Sequence, residues 1–111
     1  MTYLLDTNTC IKYLNGKSEE IRKQLELKSP KDIVLCSVVK AELFYGVKKS
    51  TNPEKNLEKL TKFLNRFVSL QFDDKASESY GKIRVQLERS GTPIGPNDLL
   101  IASIAISNNL T

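Results

Sequence analysis

Three acidic residues of the sequence, Asp6, Glu42 and Asp98, stand at positions where a metal-dependent reaction could use them. Asp6 directly follows an apolar run, Glu42 lies among apolar neighbours (VVKAELFYGV), and Asp98 follows a loop rich in glycine and proline. Carboxylate oxygens are ligands that Mg²⁺ and Mn²⁺ prefer. A divalent ion held in this way lowers the pKa of its bound water and neutralises phosphate charge. If the fold brings the three acids together, they predict a metal-dependent reaction at phosphate.

The absence of histidine narrows the possible chemistry. It excludes Ser-His-Asp and Cys-His nucleophilic sites, His-based acid–base catalysis, and zinc or haem ligation through His. The two cysteines, Cys10 and Cys36, are too few for a four-cysteine metal site, and their apolar surroundings predict buried, reduced thiols. The groups that remain for catalysis are carboxylates, lysine, tyrosine, serine and threonine, together with metals that prefer oxygen ligands.

Size and charge predict one small domain with a tendency to bind polyanions. A chain of 111 residues suits a single core, so residues 1–111 are expected to form one domain. Its net charge of +4 suits a nucleic-acid partner. The sequence has no apolar run of bilayer-spanning length and no signal-peptide pattern at MTYLLD. We therefore expect a cytoplasmic protein with no membrane attachment.

Short apolar runs alternate with helical periodicity and predict the order β-α-α-β-α-α-β-α-α. The strands are predicted at residues 3–5, Ile33–Cys36 and 68–72, and the continuous apolar run of the second strand predicts burial on both faces. Strands separated by helices predict an α/β fold, a three-layer α/β/α sandwich with a parallel sheet. Sites in such sheets form at the carboxyl ends of the strands, where we expect the three acids to meet.

Capping residues predict where the helices begin and end. The predicted caps and stops are Ser18, Ser37, Asn52, Asp73, Gly16 and Gly91, with Asn97 or Asp98 capping the last helix, residues 99–107. Each acid of the candidate site therefore also has a structural interpretation. Asp98 alone is typical of a helix cap, Asp6 could form a turn, and Glu42 on a buried helix face would need a polar partner. Their common placement is what favours a functional site.

Three segments resemble VapC-type toxins of the PIN-domain ribonuclease family. They are YLLDTN (3–8), SVVKAELFYGV (37–47) and GTPIGPNDLLIASIA (91–105), and the resemblance is closest to the branch described as tRNA(fMet)-specific endonucleases. It implies a PIN fold and a toxin of a toxin–antitoxin system that cleaves RNA, with tRNA as the substrate class and Mg²⁺ or Mn²⁺ as cofactor. Asp6, Glu42 and Asp98 then correspond to the catalytic, metal-binding acids, and Asn8 to a small polar residue that orients ligands or substrate.

The resemblance also implies partners. These are a second copy of the chain in a homodimer, and a VapB-type antitoxin whose C-terminal tail covers the active site. Basic side chains could position the RNA backbone, and the candidates are Lys12, Lys40, Lys48 and Lys49.

Family members continue beyond the equivalent of Leu110 and Thr111 into a strand that bears a fourth polar residue of the metal site, and then into a last strand. The resemblance therefore implies missing C-terminal strands and an open sheet edge at residues 3–5. Two alternatives stay open. One is an inactive PIN module that binds antitoxin or RNA without cleaving it. The other is a phosphohydrolase of the haloacid dehalogenase type, because DTNT at 6–9 resembles its D-x-D-x-T motif, although Asn8 replaces the second aspartate.

Overall fold

A short parallel sheet organises the chain. The computed structural model describes residues 2–110, so the predictions on the chain beyond Leu110 lie outside the described residues. Strands β1 (Tyr3–Leu4), β2 (Ile33–Cys36) and β3 (Val68–Leu70) pair in the order β1-β2-β3. Both pairings are parallel, as the sequence predicts.

Helices make the crossovers that a parallel sheet requires. In chain order they are α1 (Thr7–Asn15), α2 (Glu19–Leu27), a short 3₁₀ turn (Pro30–Asp32), α3 (Ser37–Lys48), α4 (Pro53–Leu64), α5 (Asp74–Ser90) and α6 (Pro96–Ser107). The order of elements and the three-layer α/β/α architecture are those predicted. No helix among residues 2–110 combines the length and the apolar character needed to cross a membrane.

Strand β2 lies at the centre of the core. All four of its residues are buried, because a parallel strand between two others is covered on both faces. The core extends from β2 into α1 through Cys10 and into α3 through Val39 and Leu43. Aromatic packing joins α1 to α4, with the ring centroids of Tyr13 and Phe63 5.3 Å apart. The first helices after β1 and β2 are thereby fixed to one rigid core.

Several helix ends follow from their capping residues. The side chains of Ser18 and Asp73 accept hydrogen bonds from the backbone N–H groups of Ile21 and Ala76, as predicted. Gly91 follows α5 with a positive φ of 67°, a left-handed conformation that glycine adopts without steric cost. These local signals correctly bound α2 and α5.

Two predicted caps are wrong. Ser37 is the first residue of α3 and not its cap, because the extended residue Cys36 carries the chain directly from β2 into the helix. The last helix begins at Pro96 rather than at residue 99, with Gly95 as its N-cap. Proline suits the first helical position because its φ is already helical and it lacks the N–H that would stay unbonded there. Asp98 therefore lies in the first turn and does not cap the helix.

The two cysteines are fully buried free thiols, as the sequence predicts. Burial, followed by the nearby Asp6 carboxylate, raises the pKa of Cys10 to about 12. An unfolded chain would lose this proton near its ordinary value of 9.0, while the folded chain would keep it. The stabilising contribution is therefore complete below pH 9 and is lost as pH rises towards 12.

We expect both thiols of the native protein to resist Ellman's reagent at pH 8 and to react fully in denaturant. The free energy of unfolding should fall with rising pH above about 9 more steeply than in Cys10→Ala, by up to about 1.4 kcal/mol per pH unit. Urea denaturation of both proteins at several alkaline pH values measures the difference. Equal slopes would contradict the assignment to Cys10.

Candidate active site

The four site residues predicted from the sequence line one open cleft of about 590 Å³. They are Asp6, Asn8, Glu42 and Asp98, and they come from α1 with its cap, α3 and α6. Because β1 and β2 are neighbouring parallel strands, α1 and α3 both begin at the same edge of the sheet. The third acid reaches the cleft on α6, which packs against α3.

Asp6 has a structural role in addition to its place in the cleft. It is the N-cap of α1, and its Oδ1 accepts a hydrogen bond of 2.8 Å from the backbone N–H of Thr9. Its structural role is thus that of a helix cap, where the sequence suggested a turn. The cap uses Oδ1 and fixes the side-chain rotamer, and the residue is exposed to solvent. Helix capping thus holds this carboxylate at the rim of the cleft.

Glu42 has the polar partner that its position on an apolar helix requires. The hydroxyl of Thr7 donates a hydrogen bond of 3.0 Å to Glu42 Oε1, and this bond joins the first turn of α1 to α3. Glu42 is half-buried, and a hydrogen bond is stronger there than in water. The bond from Thr7 therefore restricts the Glu42 side chain more than the same bond would restrict a fully solvated carboxylate. Thr7 therefore positions the second acid of the cleft.

Asp98 enters the cleft from the first turn of α6, next to Asn97. It is exposed, and a Cβ built on Gly95 would lie 3.5 Å from its Oδ2, so the carboxylate lies beside the start of the helix. The N-terminus of a helix carries partial positive charge, which stabilises an acid in the first turn and favours a bound anion.

The cleft concentrates negative charge. Its lining holds three carboxylates and one basic side chain, Lys49. The ion pairs found in residues 2–110 each join exposed side chains of one helix, and none includes Asp6, Glu42 or Asp98. Within the same residues no three metal-ligating side chains lie close enough together to form a ready-made metal cluster. Within the described part of the chain the acids therefore have no ion-pair partner, although Lys49 lines the same cleft.

Sequence reasoning did not single out Thr7 and Tyr45 as functional candidates, although both line the cleft. Thr7 lies between two residues that were singled out, but its partner Glu42 is 35 positions away, so only the fold reveals the contact. Among the four lysines considered for backbone binding, only Lys49 lines the cleft.

Comparison with known proteins identifies the family of this arrangement. The PIN domain family matches residues 3–111. Ribonuclease VapC2 of Rickettsia felis is 45% identical over 112 residues, which cover 100% of this chain and 84% of the relative. The tRNA(fMet)-specific endonuclease VapC of Salmonella typhimurium is 40% identical over 110 residues, which cover 99% of this chain and 83% of the relative.

Solved structures agree with the sequence relatives. VapBC2 of Rickettsia felis, bound to a DNA fragment from its promoter, superposes with a TM-score of 0.91 at 43% identity and covers 99% of this chain and 84% of that chain. DNA-bound VapBC of Salmonella typhimurium gives a TM-score of 0.91 at 40% identity, with 99% and 83% covered. The PIN match replaces the interpretation of DTNT as a phosphohydrolase motif.

The two roles of Asp6 can be separated by substitution. Asp6→Ala removes the cap of α1, and we expect it to lower the free energy of unfolding by about 1 kcal/mol. Asp6→Asn keeps a side-chain oxygen and caps about as well as aspartate, so it should retain stability within about 0.5 kcal/mol. Both variants remove the same charge, so the difference between their free energies of unfolding in urea measures the contribution of the cap. Equal free energies of unfolding would show that the Asp6 cap does not stabilise α1.

Proposed function

The chain belongs to the PIN-domain family as a VapC-type ribonuclease, the toxin of a VapBC toxin–antitoxin system, and we propose that it hydrolyses RNA phosphodiester bonds in the cleft lined by Asp6, Glu42 and Asp98. The observation that carries the proposal is that three acids from separate elements line one cleft without an ion-pair partner in residues 2–110. We propose tRNA as the substrate class, after the similar endonuclease of Salmonella typhimurium.

The donor set of the cleft fits Mg²⁺ or Mn²⁺. It consists of the carboxylates of Asp6, Glu42 and Asp98 with the amide oxygen of Asn8, all hard oxygen ligands. Mg²⁺ usually keeps several waters and needs only one or two direct carboxylate ligands, so a ready-made cluster is not required. When bound, such an ion supplies a water of lowered pKa and neutralises charge on the phosphate.

The side chains of the cleft contribute binding and orientation. The Thr7 hydroxyl holds the Glu42 carboxylate, the α1 cap holds Asp6, and the start of α6 offers partial positive charge to a phosphate. Lys49 provides the one ammonium group of the cleft lining and can contact the RNA backbone. In this proposal the protein fixes the acids before RNA arrives, which avoids the cost of ordering them on binding.

We further propose that the chain binds a VapB-type antitoxin. The similar solved structures from Rickettsia felis and Salmonella typhimurium are VapBC complexes. A basic side chain from an antitoxin tail would complement the acids of the cleft and exclude RNA from it. We also propose that residues 1–111 act as one domain in the cytoplasm, as the sequence predicts, and that the chain forms a homodimer, as the family resemblance implies.

The cleavage proposal predicts that purified protein cuts a bulk tRNA pool into discrete fragments in Mg²⁺ or Mn²⁺ but not in EDTA. Asp6→Asn and Asp98→Asn each remove one anionic ligand with little change in shape, and each should lower kcat at least about a hundredfold. Gel analysis of end-labelled tRNA measures the products and their rates.

Thermal denaturation provides the control for this experiment, because both variants should remain folded. Full activity of Asp6→Asn would refute the role of the acids. If the folded, metal-saturated parent protein cuts none of the tRNA pool, the chain acts instead as a binding module without nuclease activity.

The contact between Thr7 and Glu42 supplies a separate prediction. Thr7→Val keeps the shape of the side chain but removes the donor, so we expect kcat to fall about tenfold with KM within about twofold, since a hydrogen bond to a charged group contributes about 1.5–3 kcal/mol. Thr7→Ser keeps a hydroxyl and should retain most of the activity. Steady-state kinetics of the three proteins measure this, and equal kcat values for Thr7→Val and the parent would show that the bond has no catalytic consequence.

A further inference from the structure

An exposed aromatic side chain lines the same cleft as the acids. Tyr45 is 66% exposed, whereas the other aromatic residues of the described chain are all less exposed. It lies one turn after Glu42 on α3. Most of the ring surface therefore lies outside the core, where a ligand beside the candidate acids can reach it.

Lys49 lies one turn further along the chain, at the end of α3, and also lines the cleft. Its Nζ is 4.8 Å from the centroid of the Tyr45 ring, a cation–π distance. No ion pair of Lys49 is found in residues 2–110. The ammonium group covers one face of the ring, and the exposure of the side chain leaves ring surface open to a ligand.

A second tyrosine, four residues before a basic residue on another helix, has a structural role and serves as a comparison. On α5, Arg84 stacks on Tyr80 and also forms an ion pair of 3.1 Å with Glu88, and Tyr80 packs edge-on against Phe72. For the pair in the cleft, no such ion pair or ring–ring contact is found in the described residues. Its ring and ammonium group are thus available to something other than the protein itself.

We propose that Tyr45 and Lys49 form a nucleotide platform beside the acids. The Tyr45 ring stacks on an unpaired base next to the scissile phosphate, and the Lys49 ammonium contacts a phosphate of the same nucleotide step. Aromatic rings and lysines bind RNA in this combination because every base has a π face and every nucleotide a charged phosphate. A base within a duplex cannot stack on a side chain, so the platform selects single-stranded segments.

This inference rests on the proposed ribonuclease function, and its test must separate the two. Binding is therefore measured on the Asp6→Asn variant of residues 1–111, which should not cleave. The probe is a short unstructured RNA oligonucleotide that contains 2-aminopurine, whose fluorescence falls on stacking. Its dissociation constant and its quenching are recorded in each variant over a range of salt concentrations.

Adding Tyr45→Leu to the Asp6→Asn variant should weaken RNA binding about tenfold and abolish the fall in 2-aminopurine fluorescence on binding. Tyr45→Phe keeps the ring and should bind and quench like the Asp6→Asn variant. Lys49→Gln should lower the slope of log Kd against log salt by about 0.7, the value for one phosphate contact on a single strand. Lys82→Gln on α5 makes the same change in charge at an exposed position outside the cleft lining and should leave the quenching unchanged.

The platform is refuted if the Tyr45→Leu chain, folded by circular dichroism, binds and quenches like its parent. It is also refuted if Lys82→Gln lowers the slope of log Kd against log salt as much as Lys49→Gln does. The change in slope would then come from the net charge of the protein and not from a phosphate contact of Lys49. Cleavage of tRNA by the chain with Asp6 intact is a separate measurement. A failure there overturns the proposed activity, while the binding data still decide the platform.

Discussion

Parallel pairing of two short strands on the buried strand β2 is the constraint on which the site depends. Parallel strands end at the same edge of a sheet, so helices that follow them begin there as well. β1 leads through Asp6 into α1, and β2 leads without an intervening loop into α3. The burial of all four residues of β2 fixes this geometry, because a shift along the strand would bring the flanking polar residues Asp32 or Ser37 into the core. The core thus determines where the acids lie.

The same geometry gathers acidic side chains on one surface. Three carboxylates line one cleft, and no ion pair in the described chain includes them. Asp6 and Asp98 are exposed to solvent, and each lies at the start of a helix, whose partial positive charge stabilises an acid there. Both proposed ligands of the site, a divalent ion and a basic group of an antitoxin, would complement these acids.

The sequence predicts the parts of the fold that local physics controls. The bounds of β2 are correct because its apolar run is unbroken, and Ser18, Asp73 and Gly91 bound their helices through bonds to near neighbours. The start of α6 was misplaced because Pro96 overrides the polar residues that follow it. The three acids of the site were predicted because each was expected at the carboxyl edge of the sheet, and because the sequence resembles a known family.

Contacts between distant parts of the chain could not be predicted in this way. Thr7 and Glu42 are brought together by the pairing of β1 with β2, and neither residue signals the other in the sequence. The exposure of Tyr45 is similarly hidden, because a tyrosine in an apolar helix is typical of a core position.

Capping also explains how a carboxylate can be ready for chemistry in an exposed cleft. An exposed aspartate ordinarily samples several rotamers, and ordering it on ligand binding would cost free energy. The bond from Thr9 N–H to Asp6 Oδ1 restricts that freedom during folding, and the bond from Thr7 does the same for Glu42. Both donors belong to the first turn of α1. This one turn therefore orients two acids from different elements, which makes the β1–α1 junction the main organiser of the cleft.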